Sequence, residues 1–188
     1  VQYASTATAT NEVTAAMKLT RAEVKEAVRT LRGNNAKTLK TMVNPSTGVN
    51  TTPIGNSFVA TASEDTIHDL DDAEGWVPVE KYPNKANVMP DEMGALANVR
   101  FLMTTNAKVS SAGGADSNDV HYTLILGQNA YGQTRISGKS LMNIVKPLGS
   151  AGTADPLDQR QTSGWKAIYV AKILQQSFMI RVEHGVSA

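Results

Sequence analysis

The stretch LTRAEVKEAVRTLRG, residues 19–33, is the strongest structural signal in this sequence. Thr20 is followed three residues later by Glu23, a capping box in which a hydroxyl and a carboxylate satisfy backbone N–H groups of a first helical turn. Behind the box, apolar residues recur at i, i+3, i+4 and i+7 and form one stripe: Val24, Ala27, Val28 and Leu31. These signals predict an amphipathic helix over residues 21–32, and apolar positions upstream predict that it extends back to residue 13.

Most of the remaining sequence has the short period of β-strands. Strand-like runs bounded by turn residues occur in six places: residues 57–63, 98–105, 120–127, 131–138, 140–149 and 177–185. In the third run the alternation predicts one shared face: Val120, Tyr122, Leu124 and Leu126. A short second helix is expected over SEDTIHDL, opened by Ser63 or Glu64, and residues 75–95 are expected to be a long connection. Together these elements predict an α+β fold with a mostly antiparallel or mixed sheet.

Composition excludes several classes of function. The 188 residues carry 18 basic and 17 acidic side chains, a formal net charge of +1, so the basic excess typical of nucleic-acid-binding proteins is missing. Cysteine is absent, which excludes disulfides and thiolate metal sites. No apolar run reaches the roughly 18 to 20 residues needed to span a membrane. The first residues do not resemble a signal peptide, and the lack of an initiator Met suggests a trimmed or processed chain.

The residue types that perform catalysis are scattered along the chain. His68, His121 and His184 show none of the spacings of a zinc site, and neither a nucleophile elbow nor a phosphate-binding loop occurs. No catalytic, cofactor-binding or metal-ligating residue is therefore predicted. The acidic residues of SEDTIHDLDDAE, residues 63–74, are interpreted as a solvated helix face. A small metal-dependent hydrolase that uses these carboxylates is the alternative from a different class of function.

The stretch DPLDQRQTSGWKAIYVAKIL, residues 155–174, is the strongest candidate for an interaction site. Asp158 and Arg160, which precede the turn that leads to Trp165, are expected to form a charge pair. Lys166, which follows that turn, is expected to lie near the pair. Paired Asp and Arg side chains neutralise each other, whereas a catalytic group needs a tuned pKa. Arg and Trp are typical anchors of protein interfaces, so an inter-subunit or inter-domain role is predicted for these four residues.

Three further residues complete the predicted interface set: Arg29, Arg32 and Trp76. The two arginines lie in the last turn of the first predicted helix, and the tryptophan lies in the long connection. After Trp165, apolar residues alternate through position 173 and predict a long strand. We expect this strand to pair with SFMIRVE, residues 177–183.

Several blocks of the sequence resemble the major capsid proteins of tailed bacteriophages, and above all the group related to the coat protein of phage N-four. In chain order the blocks are VRTLRGNNAK, GWVPVEKY, MGALANVRFLMTTNAKV, LILGQNAYG, IVKPLGSAGTADPLDQRQTSGWKAIYVAKIL and FMIRVEHG. The resemblance runs from about residue 18 to the end of the chain, and the block over residues 144–174 is the most specific.

The resemblance implies the Hong Kong 97-type capsid fold, with a spine helix, an axial domain and long peripheral-domain strands. On that basis residues 1–33 are assigned to the peripheral domain with the spine helix, and residues 34–150 to the axial domain. Residues 151–188 are assigned to strands that return to the peripheral domain. Members of the family carry an N-terminal arm and an extended loop before the spine helix, and we expect both to be missing here.

The resemblance further implies a major capsid protein of a tailed double-stranded DNA phage or prophage, with no enzymatic activity and no cofactor. Such a chain self-assembles into hexamers and pentamers of an icosahedral shell that encloses the genome. Expected partners are other copies of the chain, portal, scaffolding or decoration proteins, and packaged DNA on the inner face without sequence specificity; no membrane is expected. The expected location is the virion capsid, assembled in the host bacterial cytoplasm. A nanocompartment shell of the same fold is the alternative that the resemblance leaves open.

Overall fold

The structure is a computed structural model that describes residues 1–39, 57–82, 88–134 and 141–187. The chain divides into two units: a main unit of residues 1–130 with 175–188, and a second unit of residues 131–174. The helices are α1 (Arg21–Gly33) and α2 (Glu64–Asp71). The strands of the main unit are β1 (Gln2–Tyr3), β2 (Phe58–Ala62), β3 (Val77–Pro78), β4 (Glu92–Leu96), β5 (Val99–Met103), β6 (Val109–Ser110), β7 (Val120–Leu126) and β12 (Met179–His184). Those of the second unit are β8 (Tyr131–Gln133), β9 (Leu141–Lys146), β10 (Thr162–Ala167) and β11 (Ala171–Ile173).

The main unit is built on one mixed sheet. Its strand order is β1-β12-β7-β2-β5-β4-β3, and β6 pairs with β7 beside this path. The β1–β12 and β2–β5 pairs are parallel, and the other pairs are antiparallel. Two helices and a mixed sheet confirm the predicted α+β class. Within the described residues, neither helix is long and apolar enough to cross a membrane.

Helix α1 forms where the capping box predicts it. The Glu23 carboxylate accepts hydrogen bonds from the Thr20 backbone N–H and, at 2.7 Å, from the Thr20 hydroxyl. It also accepts the Ser5 backbone N–H at 2.8 Å, so the same carboxylate holds the N-terminal segment against the helix. The predicted apolar stripe is buried along its whole length: Val24, Ala27, Val28 and Leu31.

The predicted extension of this helix back to residue 13 is wrong. Residues Thr10–Glu12 form a single 3-10 turn, and the chain is non-helical from there to Thr20. The reason is tertiary: the Val13 carbonyl accepts the Ala115 N–H, and Lys18 forms a parallel bridge with Gly185. These backbone groups are therefore bonded to distant parts of the chain and are not available to a helical ladder.

The hydrophobic core lies between the sheet and both helices. It consists of buried side chains from α1, α2 and five strands, among them Leu31, Leu70, Phe58, Phe101 and Ile125. The two faces of β7 are buried to different degrees. The buried alternating residues are His121, Thr123 and Ile125, whereas Tyr122, Leu124 and Leu126 are half-buried. β7 lies between β2 and β12, and Ile125 pairs with Ala60 of the core cluster.

Two strands were missed in the segment predicted to be a connection, residues 75–95. β3 pairs with β4 at the edge of the sheet, and a bulge interrupts the β4–β5 ladder between Glu92 and Gly94. Gly94 is required there, because an added Cβ would lie 2.4 Å from the Trp76 ring. The indole is thereby packed over the strand.

The second unit, residues 131–174, consists of two separate two-stranded antiparallel ribbons, β9–β10 and β8–β11. The predicted long strand over residues 165–173 is therefore wrong, since β10 ends at Ala167 and β11 begins at Ala171. Its predicted pairing with residues 177–183 is also wrong: β12 pairs with β7 and β1 in the main sheet. Local alternation identified the strands but not their partners.

Candidate assembly surface

Large apolar side chains are exposed mainly in the second unit. Of fourteen exposed large hydrophobic residues among those described, eleven belong to residues 131–174. These eleven are Tyr131, Leu141, Ile144, Val145, Leu148, Leu157, Trp165, Tyr169, Val170, Ile173 and Leu174. Exposed apolar patches of this kind mark interaction surfaces in folded proteins.

The β9–β10 ribbon has two chemically different faces. In its register Trp165 lies opposite Asn143, Ser163 opposite Val145, and Ala167 opposite Leu141. Because alternate residues of a strand share a face, these six residues form one side of the ribbon and none of them is charged. The other side carries Lys146 and Lys166. Trp165 is 77% exposed, so the uncharged face presents an indole to its surroundings.

The predicted charge pair at the turn before this ribbon is not formed. Within the described part of the chain, neither Asp158 nor Arg160 makes an ion pair. Instead the buried Asp155 carboxylate accepts the Arg160 backbone N–H at 2.7 Å, and the Arg160 residue is exposed. Asp158 adopts a positive φ of 49°, a turn conformation that directs the chain back on itself. Asp155 thus stabilises the turn over residues 155–160, which we call the polar corner. Asp155 is not among the residues that the sequence predicted for the interface.

The other predicted interface residues lie in the main unit. Arg29 is exposed on α1 and lines, with Lys25 and Arg32, a shallow cationic depression of about 420 Å³. Trp76 is half-buried, and its ring centroid lies 5.6 Å from that of Phe101. The indole therefore packs on the core of its own chain. An interface role for any of these side chains stays a prediction.

A cleft of about 650 Å³ lies beside α2, and we call it the α2 cleft. Its apolar lining comes from Ile67, Trp76, Pro78, Val79, Met93 and Met103. Exposed carboxylates form its rim: Glu64, Asp71, Asp72 and Glu80. Met93 is 40% exposed. The cleft therefore combines an apolar floor with a negative rim.

One acidic residue of this region is not solvated, contrary to the interpretation of residues 63–74 as a uniform exposed face. The Asp69 side chain is only 6% exposed and forms an ion pair with Lys18 at 3.1 Å. Burial disfavours its charged form, but hydrogen bonds from the Ser187 backbone and hydroxyl and the ion pair outweigh burial and lower the pKa of Asp69. Asp69 thus ties the last residues of the chain to α2.

A buried carboxylate, Glu92, lines part of the α2 cleft. Its Oε1 atom lies 3.1 Å from the Arg100 guanidinium and accepts the Tyr82 hydroxyl at 3.0 Å. Its Oε2 atom accepts the Met89 backbone N–H at 2.9 Å. Burial and the Glu92 charge raise the pKa of Tyr82, so the phenol stays a donor. With its charge and lone pairs used internally, Glu92 is a structural element of the cleft.

His121 and His184 are buried, and a hydroxyl group contacts each ring. His121 Nδ1 lies 2.8 Å from the Ser63 hydroxyl, and His184 Nε2 lies 2.9 Å from the Thr123 hydroxyl. Burial lowers the pKa of His184 to about 4, so its ring is neutral near pH 7. Across the described ranges, no three His, Asp or Glu side chains come together as a metal site. The hydrolase alternative thus has no supporting geometry in the described residues.

Comparison with solved structures identifies the fold. The chain is similar to a subunit of the cyanophage Pam1 capsid (17% identity, TM-score 0.65, 95% of this chain and 50% of that one). It is also similar to the capsid of Ralstonia phage GP4 (14% identity, TM-score 0.61, 100% of this chain and 53% of that one). A third similar structure is the head of Helicobacter pylori bacteriophage KHP40 (11% identity, TM-score 0.56, 94% of this chain and 60% of that one). The chain thus spans about half the length of these structures.

No protein-family model matches the chain, and no curated protein matches it. At these identities the likeness concerns the fold, and it extends over nearly the whole chain. The predicted capsid fold of the Hong Kong 97 type is thereby confirmed, while the residue boundaries assigned to its domains stay a prediction. The chain has the fold of a tailed-phage capsid subunit.

Proposed function

We propose that this chain forms part of the major capsid protein of a tailed double-stranded DNA phage or prophage. Its function is structural: copies associate into hexamers and pentamers, and these close an icosahedral shell around the genome. The observation that carries the proposal is the fold likeness to phage capsid structures over 94–100% of the chain.

The exposed surface of the second unit supports the same proposal. A shell subunit keeps apolar side chains at its surface because neighbouring copies cover them after assembly. The concentration of such side chains in residues 131–174 is what a self-associating subunit requires. A monomeric enzyme of this size has no comparable reason to expose them.

The family resemblance also implies domain roles, partners and a site of action, and we propose these as well. Residues 1–33 would provide the spine helix of the peripheral domain, residues 34–150 the axial domain, and residues 151–188 returning strands. Packaged DNA would contact the inner face without sequence specificity, and portal, scaffolding or decoration proteins would be further partners. The site of action would be the virion capsid, with assembly in the host bacterial cytoplasm.

Negative-stain electron microscopy with light scattering of the purified chain tests the function. We expect closed shells or regular capsomers that form with rising protein concentration. A sample that stays monomeric at high micromolar concentration, with a folded circular dichroism spectrum, would contradict self-assembly.

A single substitution tests the predicted role of the polar corner in assembly. Arg160→Glu reverses an exposed charge whose side chain makes no ion pair within the described chain, so folding is expected to be unaffected. We expect fewer particles and an unchanged melting temperature. Normal assembly of the variant would remove Arg160 from the interface.

A further inference from the structure

We propose that the uncharged face of the β9–β10 ribbon docks into the α2 cleft of a second copy of the chain. This inference rests on the proposed self-assembling function and names the two surfaces that meet. The ribbon face is the one defined above, with Trp165 at its centre and Leu141 and Val145 beside it. The cleft is the one whose apolar floor includes Trp76 and Met93.

The large apolar side chains of the ribbon face are exposed to solvent. Leu141, Val145 and Trp165 are 70%, 58% and 77% exposed on one face of an isolated two-stranded ribbon. Two strands alone are marginally stable in water, and burying an aromatic side chain of this size removes roughly 150–250 Å² from solvent. A surface that packs over the ribbon therefore stabilises both the ribbon and the contact.

The two units carry net charges of opposite sign. Residues 131–174 contain six basic and two acidic side chains, a net charge of +4, and the rest of the chain contains twelve and fifteen, a net charge of −3. Second units of two copies therefore repel each other, whereas a second unit attracts a main unit of another copy. Unlike surfaces in contact make a head-to-tail interface, which closes into a ring when repeated by rotation.

The α2 cleft suits this ribbon face better than the depression on α1 does. The lining of the depression on α1 includes the exposed cations Lys25 and Arg29, which repel a positively charged unit. The α2 cleft has a rim of carboxylates and an apolar floor, and its volume of about 650 Å³ is within the range that accommodates an aromatic group. Lys146 and Lys166, on the other side of the ribbon, add to the attraction by the negative rim.

Cross-linking tests the contact directly, because the chain contains no cysteine. Ser163→Cys on the ribbon face keeps Trp165 in place, and Met93→Cys lies in the floor of the cleft. The two single variants are mixed, allowed to assemble and treated with a short bismaleimide. We expect a mixed dimer on a denaturing gel, at a yield at least tenfold above that of Ser163→Cys mixed with Lys25→Cys, the matched control in the cationic depression.

The outcomes separate this contact from the proposed function. Assembly of the unmodified chain without the mixed Ser163→Cys and Met93→Cys adduct overturns the contact and leaves the function standing. A predominance of adducts between two Ser163→Cys chains also overturns it, since that result means that ribbon packs on ribbon. Absence of both assembly and adduct overturns the contact together with the function.

A substitution at the centre of the face provides an independent readout. Trp165→Ala removes the anchor, and we expect the concentration needed for assembly to rise at least tenfold, as for a central interface aromatic. The matched control is Tyr169→Ala, which removes an exposed aromatic side chain of the same unit outside the ribbon. It is expected to change the concentration needed for assembly less than threefold. Equal effects of the two variants overturn the assigned face.

Discussion

The two units of this chain differ in how far they bury a large aromatic side chain. In the main unit, Phe101 on β5 is fully buried in a core shared by both helices and the mixed sheet. In the second unit, Trp165 on β10 is 77% exposed on a ribbon of two strands. The described core of the main unit is covered by side chains of the same chain, whereas the second unit presents large apolar side chains to solvent. The comparison indicates that the main unit provides most of the folding stability and that the second unit provides the surface for association.

Hydrogen exchange is expected to show the largest difference between the units. Backbone amides of β7, in the interior of the sheet, open only with global unfolding, while those of β9 open in local fluctuations of a two-stranded ribbon. For the unassembled chain at pH 7 we expect β9 amides to exchange roughly ten-thousandfold faster, which corresponds to about 5.5 kcal/mol in opening free energy. Exchange followed by mass spectrometry measures both segments in one sample. Equal protection of the two strands would contradict the division of roles.

Matched truncations of two aromatic residues are expected to give the next largest effect. Phe101→Ala leaves a cavity in a closed core and should lower the free energy of unfolding by about 3–5 kcal/mol. Trp165→Ala removes an exposed ring and should change it by less than about 0.5 kcal/mol in the unassembled chain. Urea denaturation measures both. A large loss of stability with Trp165→Ala would show that the indole is part of a core within the chain.

The pH dependence of stability is expected to arise in the main unit, which contains all three histidines. His184 has a pKa of about 4 when folded and an ordinary value of 6.5, so only the unfolded chain takes up its proton between those values. Stability should fall as the pH decreases from 6.5 to 4, by on the order of 3 kcal/mol in total.

Denaturation at pH 7 and at pH 4.5 measures this loss. His184→Gln should flatten the dependence in this window, whereas His68→Gln, at an exposed position on α2, should leave it as it is. A His184→Gln profile that matches the unmodified chain would mean that other groups cause the loss.

Local signals in the sequence were sufficient for the helices. The capping box at Thr20 and Glu23 and the stripe ending at Leu31 involve neighbours in the sequence, and α1 forms where they place it. The same holds for Ser63 at the start of α2. Each of these interactions closes within one or two turns, so it can be recognised without knowledge of the rest of the fold.

Strand partners and the more buried face of a strand depended on the rest of the fold. In VHYTLIL the strongly apolar alternate residues are Val120, Tyr122, Leu124 and Leu126, yet the other set, which includes His121 and Thr123, is the one that is buried throughout. Which set is buried depends on what packs over the sheet, and alternation alone does not show that. The partner of β10 is β9, reached across a turn, and not the C-terminal strand. The exposed face of Leu141, Val145 and Trp165 became visible only from that register.

The smallest expected effect comes from a matched pair of serines, one in each unit. The Ser63 hydroxyl accepts the Thr66 backbone N–H at the start of α2 and lies 2.8 Å from His121 Nδ1, so Ser63→Ala removes a helix cap and leaves a buried ring nitrogen without its partner. We expect a loss of about 1–2 kcal/mol. Ser163→Ala removes an exposed hydroxyl from the ribbon and should stay within about 0.5 kcal/mol. Thermal denaturation of the unassembled variants measures both losses of stability. Equal shifts of the two melting temperatures would mean that the second unit also contributes to folding stability.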